Sequence, residues 1–378
     1  MPHVPHVPRS PHGRHEQSPA YRIGAASLIH TPFPLRSLTV NTTTRPEYIL
    51  TLACPDRAGI VHTITGLLLV HGGNITEAAQ YNDPDTGLFF MRVQFTSPAA
   101  PTTLRDALQA AASDLSLRWN LAENGRRMPT VILVSKLGHC LNDLLFRTRA
   151  GMLPIDIRAI ISNHEDFRPQ VEAQGIPFHH VPVSAATREA AEARQLEIIE
   201  SSGAELVVLA RYMQILSDNL CRQLQGRAIN IHHSFLPSFK GAKPYHQAHD
   251  RGVKLIGATA HYVTADLDEG PIIEQDVTRA SHADSALALQ RKGRDVERRV
   301  LAQAVTWHAE HRVLLNGRRT VVFAGGRPLP PSALYSLLPS AQAPSPTPQA
   351  AATRHPASTG TTEGGSTIHA CACMVSKM

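Results

Sequence analysis

Short apolar segments alternate with helical segments through the middle of the chain, and this alternation constrains the fold more than any other feature. Residues 130–134, 155–162 and 206–210 have the length and composition of buried strands, while 138–149 and 187–201 have helical apolar spacing. Strands joined by helices form βαβ crossovers, so we predict an open, Rossmann-like parallel sheet. The same patterns predict later strands, a long helix and an edge strand at 228–232, 255–263, 271–278, 285–309 and 320–323.

The segment before this sheet has a different order of elements. Strand and helix patterns follow one another in the order βαββαβ, which is the ferredoxin-like split βαβ arrangement. These elements are predicted at 47–53, 59–71, 74–82, 88–95, 102–112 and 116–121. The sequence therefore predicts an α/β protein with a ferredoxin-like domain at 46–122, a polar linker at 123–128 and a Rossmann-like open-sheet domain at 129–325.

Proline separates both ends of the chain from these domains. Residues 1–45 and 328–378 hold 15 of the 28 prolines, so we predict a disordered extension at 1–45 and a disordered tail at 326–378. The first segment is rich in His and Arg and poor in acids, which weakly resembles a transit peptide. Its prolines oppose the amphipathic helix of such peptides, so we favour a non-functional extension and a cytoplasmic protein.

The positive charge is concentrated at the same ends. The formal net charge is +6, of which residues 1–45 carry +4 and residues 328–378 carry +1, so the body carries +1. A near-neutral body lacks the clustered Lys and Arg on which nucleic-acid affinity rests, so we predict no nucleic-acid partner. No apolar run reaches the roughly 18–20 residues of a membrane span, so we predict no membrane partner. The five scattered cysteines do not form a disulfide framework and favour a reducing compartment.

Polar side chains cluster at the end of the predicted strand 228–232. Asn230 and His232 are two residues apart, so they point to the same side of an extended backbone, where open α/β sheets bind ligands. Asp268 lies in an acidic loop that can return a carboxylate to this imidazole, with Asp266 and Glu269 as substitutes. An amide that stabilises an oxyanion and an imidazole that transfers a proton suit acyl-group chemistry. Because the chain has 21 histidines, spacing alone leaves ordinary loop residues as the alternative.

Residues 230–263, followed by the run LDEGPII, resemble the folate-dependent formyltransferase family. In that family the Asn and His of an N-x-H motif and the Asp of an L-D-x-G-P motif form the catalytic set. The resemblance therefore implies that Asn230, His232 and Asp268 are catalytic. It covers residues 128–323 and implies 10-formyltetrahydrofolate as substrate, with no tightly bound cofactor and no metal.

The predicted N-terminal domain resembles an ACT domain. Asp56 and Gly59 stand at its first strand-to-helix turn and Asn74 begins its second strand, so these residues are implied to bind a small amino-acid effector. Pairing of ACT domains implies a homo-oligomer, with contact faces at 88–95 or 60–70. An ACT domain joined to a formyltransferase-like domain resembles the formyltetrahydrofolate deformylases. This implies hydrolysis of 10-formyltetrahydrofolate to formate and tetrahydrofolate, with formate supplied to purine synthesis and one-carbon folate pools kept in balance.

The turn after the strand 130–134 bears on whether water or an amine accepts the formyl group. Glycinamide ribonucleotide formyltransferases carry a Gly-rich phosphate loop there, whereas this chain keeps only Gly138 and lacks the open cradle of N–H groups. The run with Ser135, His139 and Cys140 resembles the deformylases, which implies an acceptor-side pocket for water. Formyl transfer to an amine stays the alternative function, and a weak amino-acid or folate sensor is a further one. Cys140 as a nucleophile is disfavoured because the family's chemistry needs none.

A segment after the strand 206–210 resembles the family's pterin-binding wall. An apolar wall with free backbone groups suits a flat heteroaromatic ring, while core packing of a strand end is the alternative. The folate-binding residues implied are Arg211, Met213, Gln214, Ile215, Leu216 and Val263. We expect His261 to support the loop of Asp268, and Lys240 and Lys243 either meet the anionic folate tail or are solvated.

Two short patterns resemble metal sites but lack the necessary partners. Cys371 and Cys373 are one residue apart near His369, which is not the spacing of a closed zinc site. His308 and Glu310 match the His-x-Glu of zinc deaminases, but no Cys-x-x-Cys completes that motif. The sequence therefore predicts no metal site.

Overall fold

The computed structural model describes residues 45–236 and 244–325 of the chain. The predicted disordered segments lie outside the described residues, apart from Arg45, as do the two candidate folate-tail lysines and the tail cysteines. Within these described ranges, no helix combines the length and the apolar character that crossing a bilayer requires.

The N-terminal part of the described chain is a four-stranded antiparallel sheet covered by two helices. Its elements are β1 (Glu47–Pro55), α1 (Ile60–Val70), β2 (Asn74–Asp83), β3 (Leu88–Thr96), α2 (Pro101–Leu115) and β4 (Arg118–Glu123). The element order is the predicted βαββαβ, and the strands lie in the order β2-β3-β1-β4. Ile60, Ile64 and Leu68 recur every four residues on α1, so they form one apolar face that packs with Leu104 and Leu108 of α2.

The rest of the chain forms an open sheet, as predicted, and a small hairpin; the sheet has seven strands, of which β7 was not predicted. The first elements are β5 (Met128–Val134), α3 (His139–Arg149), β6 (Ile155–Ser162), α4 (Arg168–Glu172), β7 (Phe178–His180), α5 (Arg188–Ser201) and β8 (Leu206–Leu209). Then follow α6 (Asp218–Gln223), β9 (Ala228–His232), α7 (Pro244–Asp250), β10 (Leu255–Tyr262), β11 (Ile272–Arg279) and α8 (Ala286–Ala309). The sheet is mixed rather than wholly parallel, because β10 and β11 run antiparallel to their neighbours.

The order of these strands places the functional crevice. The order is β11-β10-β9-β8-β5-β6-β7, so the chain enters at β5, moves outward to β7 and then returns to β8 on the other side. The loops that follow β5 and β8 therefore leave the sheet in opposite directions, and such a switch point opens a crevice at the carboxyl ends of the strands. Helices α3 and α8 cover one face of the sheet, while α5 and α6 cover the other.

The predicted edge strand at 320–323 has a different partner. It forms β13 (Arg319–Val322), which pairs with β12 (Val313–Asn316) as a separate two-stranded hairpin. Two residues join the strands, and Gly317 has a positive φ of 61°, which a tight hairpin turn favours. The prediction was wrong because the turn at Gly317 gives this strand a local partner.

The prediction that residues 88–95 form a contact face between subunits is also wrong. β3 is a central strand, flanked by β2 and β1, so it offers no free edge to a second chain. Phe89 and Val93 lie in the helix-covered core, and Phe90 and Arg92 on the opposite side of the strand are equally buried. The exposed apolar side chains of α1, Leu69 and Val70, remain available.

Buried charge joins the N-terminal sheet to the segment after α8. The side chain of Arg92 is 1% exposed, lies 3.2 Å from a carboxylate oxygen of Glu77 and donates to the carbonyl oxygen of Glu310. Arg312 donates to the same Glu77 carboxylate at 2.9 Å. Glu77 therefore contacts two arginines, of which Arg312 also pairs with the Glu310 carboxylate at 2.7 Å, so the buried Arg92 depends most on Glu77.

Replacing this carboxylate tests how much the shared charge stabilises the fold. Glu77→Ala removes the carboxylate that contacts the buried Arg92 and leaves only the more distant Glu310, so we expect it to lower the free energy of unfolding by on the order of 3 kcal/mol. Urea denaturation measures the loss. Glu205→Ala is the matched control, because Glu205 pairs with Arg126 at the surface, where such pairs contribute less than about 1 kcal/mol. Equal losses in the two variants would contradict the assignment.

Candidate active site

The register of β9 against β10 assembles the first part of the candidate site. In this antiparallel pair Asn230 lies opposite His261, and His232 lies opposite Thr259. The amide nitrogen of Asn230 is 3.3 Å from Nε2 of His261. Nδ1 of His261 is 2.9 Å from the carbonyl oxygen of Tyr262, which can only accept, so Nδ1 carries the proton and Nε2 accepts from Asn230.

The loop between β10 and β11 completes the group by returning Asp268. Nδ1 of His232 is 3.2 Å from Oδ2 of Asp268, and Nε2 of His261 is 3.7 Å from Oδ1. Asp268 has a left-handed backbone with φ of 57°, which Asp tolerates better than most residues. A side chain at Gly270 would come within 1.7 Å of the carbonyl oxygen of Tyr262, so the motif needs glycine at this point.

The His232 imidazole keeps Asp268 ionised. Burial by itself raises the pKa of this carboxyl, but the hydrogen bond that His232 donates to it outweighs burial and holds the pKa well below its ordinary value. The carboxylate therefore fixes the proton of His232 on Nδ1. Burial, with Arg211 nearby, lowers the pKa of the adjacent His233 to about 4, so that ring is neutral at pH 7.

One ring nitrogen of His232 is left for chemistry. The side chain is 6% exposed, and within the described part of the chain its Nε2 is buried without a hydrogen-bond partner. A buried imidazole nitrogen with no partner is costly unless a ligand completes it. The arrangement therefore offers a proton acceptor, oriented by a carboxylate, beside an amide donor.

A second polar cluster, which the sequence patterns did not predict, lies next to this group. Glu297 of α8 accepts from Nε2 of His139 at 2.7 Å and from the hydroxyl of Tyr245 at 2.6 Å, and Nε of Arg211 is 3.4 Å away. We call these four residues the Glu297 cluster. The ring of Tyr245 is 6.3 Å from that of His233, which is 5.1 Å from His232. The sequence signal that could have revealed this cluster is Glu297 itself, a charged residue on the apolar face of the long helix α8.

The packing around Glu297 shows how closely the cluster is built. Its side chain is 1% exposed. Burial by itself raises the pKa of this carboxyl, but the His139 hydrogen bond and the Arg211 charge outweigh it, so the pKa lies below its ordinary value of 4.5. A side chain at Gly293 would come within 2.0 Å of the Tyr245 hydroxyl, so this helical glycine makes room for the ring.

The predicted acceptor-side residues separate into different roles. His139 joins the Glu297 cluster, while Ser135 donates to Asn163 at 2.7 Å and accepts from the backbone of Met213 at 3.0 Å. Cys140 is fully buried, and burial raises the pKa of its thiol well above the ordinary value of 9.0, so it is a poor nucleophile.

The same region contains a set of ligand atoms with metal-like spacing. Ligand atoms of His139, Cys140 and Glu297 lie within 4.8 Å of one another. The guanidinium of Arg211 already pairs with this carboxylate, and the thiol is held protonated. A cation would have to displace the guanidinium group and the thiol proton, so these residues favour the observed hydrogen bonds over a metal ion.

Some residues of the predicted folate wall are exposed, whereas others are buried in the core. Met213 and Ile215 are more than half exposed, and Gln214 is half-buried between them. Leu216 and Val263 are buried in the core on the α5 side of the sheet. Arg211, at a positive φ of 64°, turns its side chain into the Glu297 cluster, which leaves the exposed pair as an apolar surface.

The predicted effector residues do not form one cluster. Asp56 and Gly59 lie on the turn between β1 and α1, where Asp56 accepts from Asn82 at 2.7 Å. Asn74 begins β2 and pairs with Thr96, at the opposite end of that strand from Asn82. Eight residues of strand separate the two places by roughly 26 Å, so Asn74 and Asp56 cannot contact one small ligand within one chain.

Comparison with known proteins defines the class. Residues 128–305 match the sequence model of the family described as Formyl transferase. The matched segment begins at β5 and ends in α8, so it includes the whole seven-stranded sheet and both polar groups described above. The seven-stranded sheet of this chain, with an amide, imidazoles and a carboxylate at its crevice, is therefore a domain of the formyl transferase class.

Comparisons over most of the chain are more specific. The chain is 53% identical over 280 residues to the formyltetrahydrofolate deformylase of Corynebacterium sp. (strain P-1), covering 73% of this chain and 98% of that protein. It is 46% identical over 278 residues to the formyltetrahydrofolate deformylase of Bacillus subtilis (strain 168), covering 72% of this chain and 93% of that protein. The crystal structure of the formyltetrahydrofolate deformylase from Burkholderia mallei ATCC 23344 matches with a TM-score of 0.72 at 51% identity, covering 74% and 99%. The chain belongs to the formyltetrahydrofolate deformylase family.

The charge of Glu297 predicts a pH-dependent contribution to stability. Because its folded-state pKa is lowered, its contribution is present above pH 4.5 and is lost as the pH falls through the folded-state value. Glu297→Gln keeps the shape but leaves Arg211 without a counter-ion, so we expect a loss on the order of 3 kcal/mol at pH 7. The difference from the unsubstituted protein, measured by urea denaturation, should shrink as the pH is lowered towards about 3.

The exposed ion pair of Glu197 and Arg194 supplies the control for this experiment. Glu197→Gln changes the same chemical group on the surface, where the loss should stay below about 1 kcal/mol. A stability difference for Glu297→Gln that is constant between pH 7 and pH 3 would show that the carboxylate charge is not what the cluster depends on.

Proposed function

We propose that this chain hydrolyses 10-formyltetrahydrofolate to formate and tetrahydrofolate, with Asn230, His232 and Asp268 as its catalytic residues. The observation that carries the proposal is the unpartnered Nε2 of His232, because Asp268 holds the other ring nitrogen. The names of its relatives support the same substrate and reaction.

The geometry supports a two-step mechanism. In the first step a water oxygen bonds to the formyl carbon while Nε2 of His232 takes one proton from that water. The carbonyl oxygen becomes an oxyanion, which the second amide proton of Asn230 stabilises, since His261 accepts only one of the two. The ionised Asp268 stabilises the imidazolium that forms.

In the second step the bond between the formyl carbon and N10 breaks. Nε2 of His232 returns its proton to N10, so tetrahydrofolate leaves as the neutral amine and formic acid ionises to formate. No other reactant is needed, because water supplies the oxygen and both protons. Met213 and Ile215 supply an exposed apolar surface for the pterin, next to the backbone groups of their segment.

An assay without an amine acceptor tests the function directly. We expect purified protein to release formate and tetrahydrofolate in a 1:1 ratio from 10-formyltetrahydrofolate in buffer alone. Release that begins only when an amine-bearing extract is added would instead establish formyl transfer to an amine.

Substitutions at the candidate triad test the roles of its members. His232→Ala and Asp268→Asn should each lower kcat at least about 100-fold, because they remove the proton acceptor or the group that orients it. Circular dichroism should show an unchanged fold. His249 and Asp250 form an exposed His–Asp contact of 3.3 Å on α7, so His249→Ala is the matched control and should keep full turnover. Full turnover in His232→Ala would refute the assignment.

We also propose that the N-terminal sheet is an ACT domain that mediates homo-oligomer formation and carries an effector site at the turn of Asp56 and Gly59. Its βαββαβ order supports this reading. Leu69 and Val70 at the end of α1 are 73% and 83% exposed, the two highest values among the large apolar side chains that the structure describes, and they are adjacent. A second copy of the chain is the proposed cover for this surface.

Charge placed on α1 should separate the subunits. We expect the protein to sediment as a dimer or larger species at micromolar concentration, and the double variant with Leu69→Lys and Val70→Lys to sediment as a smaller one. Leu287→Lys is the control, because Leu287 is an exposed apolar residue of α8. A monomer before substitution, or an equal effect of the control, would contradict the proposal.

A further inference from the structure

A cavity of about 600 Å³ lies between α3 and α8, beside the Glu297 cluster. His139 lines it from the start of α3, so the cavity touches the cluster without including Glu297 itself. Its volume lies within the range of roughly 300–1,000 Å³ that is usual for small-molecule sites. Neither the proposed hydrolysis nor the packing of the sheet explains it.

One face of α8 lines the cavity with charge. Arg291, Arg294, Asp295 and Arg298 all line it. Positions separated by three, four and seven residues lie on one side of a helix, so these side chains project together. The face therefore presents three guanidinium groups and one carboxylate to a single space.

The carboxylates at the cavity are already paired. Asp295 lies 2.8 Å from Arg298, and Asp143 of α3 lies 2.6 Å from Arg147. Among the described residues, the other two arginines of the α8 face have no ion pair and no hydrogen bond. Two arginines of the cavity wall, Arg291 and Arg294, are therefore left without a paired carboxylate among the described residues, and the lining carries a net positive charge.

Arg294 gives the strongest indication that the cavity binds an anion. Its Nε is sealed from solvent, and no acceptor for it exists among the residues that the structure describes. A buried charged donor without an acceptor destabilises a fold, because it has lost its hydrogen bonds to water and gained none from the protein. An anion that binds the terminal nitrogens of Arg294 from the cavity would balance the charge of this guanidinium group.

The opposite wall of the cavity supplies a flat apolar surface. Phe146 of α3 lines it, and its side chain is 56% exposed. An exposed phenyl ring next to guanidinium groups suits a ligand with a planar ring and an anionic end, because the ring stacks while the forked donors hold the anion.

We propose that this cavity is a binding site for a phosphate ester with a planar ring, of the nucleoside monophosphate class. Arg291 and Arg294 hold the phosphate, and Phe146 stacks with the ring. Guanidinium groups bind phosphate through two parallel hydrogen bonds, which a lone lysine cannot do. The lining of this cavity includes none of the candidate catalytic residues, so binding in the absence of folate is its measure.

Calorimetric titration of the full chain tests the proposal. Inorganic phosphate, adenosine monophosphate and adenosine are the probes, without folate present. We expect phosphate to bind with a Kd of about 1 mM or tighter, adenosine monophosphate at least about tenfold more tightly, and adenosine weakly. The double variant with Arg291→Gln and Arg294→Gln should bind both anions at least about tenfold more weakly, because it loses charge-assisted hydrogen bonds.

Arg299→Gln is the matched control. Arg299 lies on the same helix but pairs with Asp276 at 2.7 Å, so its loss should change binding less than about twofold. Phe146→Ala should abolish the advantage of adenosine monophosphate over phosphate. Phosphate should also raise the Tm of the unsubstituted protein and not that of the double variant, whose own cooperative melting confirms that it is folded.

Each opposite result overturns part of the proposal. Absence of phosphate binding up to about 10 mM, or an equal loss in Arg299→Gln, would refute the anion site. Equal affinities for phosphate and adenosine monophosphate would refute the role of Phe146. None of these results depends on formate release, so they stand whether or not the proposed hydrolysis is correct.

Discussion

The antiparallel register of β9 and β10 is the constraint on which the candidate active site depends. It sets Asn230 of β9 opposite His261 of β10, and β10 leads into the loop that returns Asp268 to His232. A slip of one residue would turn every side chain of one strand to the other face of the sheet and dissolve the group. The close approach at Gly270 holds the returning loop against β10, so the backbone as much as the side chains positions the carboxylate.

The fully buried Glu297 and the partly buried Glu77 are each shared among several partners rather than paired one to one. Glu297 serves His139, Tyr245 and Arg211, and Glu77 serves two arginines between the N-terminal sheet and the segment after α8. Taking an ion out of water costs several kcal/mol, and a carboxylate with several donors recovers more of that cost than one with a single donor. Both carboxylates join elements that are distant in sequence, so the same interactions that satisfy charge also fix the relative placement of these elements.

Much of the fold was predictable because periodicity is a local property. The βαββαβ segment and the alternating strands and helices after it occur where the spacing of apolar residues predicts them. The errors concern short elements and partners. The short elements α4, β7, α6, α7 and β12 were not predicted. The strand at 320–323 pairs with β12 and not with the sheet edge, and the face at 88–95 is covered on both sides. A strand pattern specifies which side chains alternate, but it does not specify the neighbouring strand.

The sequence by itself determined the longer helices and strands, the motif that carries Asn230 and His232, and the loop that carries Asp268. These follow from spacings of a few residues, which backbone geometry converts directly into a side or a face. Only the tertiary structure decided that Glu297 meets His139, 158 positions away, and that Asn74 lies far from Asp56. Contacts of this kind depend on strand order and on the side from which each helix packs, and these are settled by burial of the whole core rather than by any local pattern.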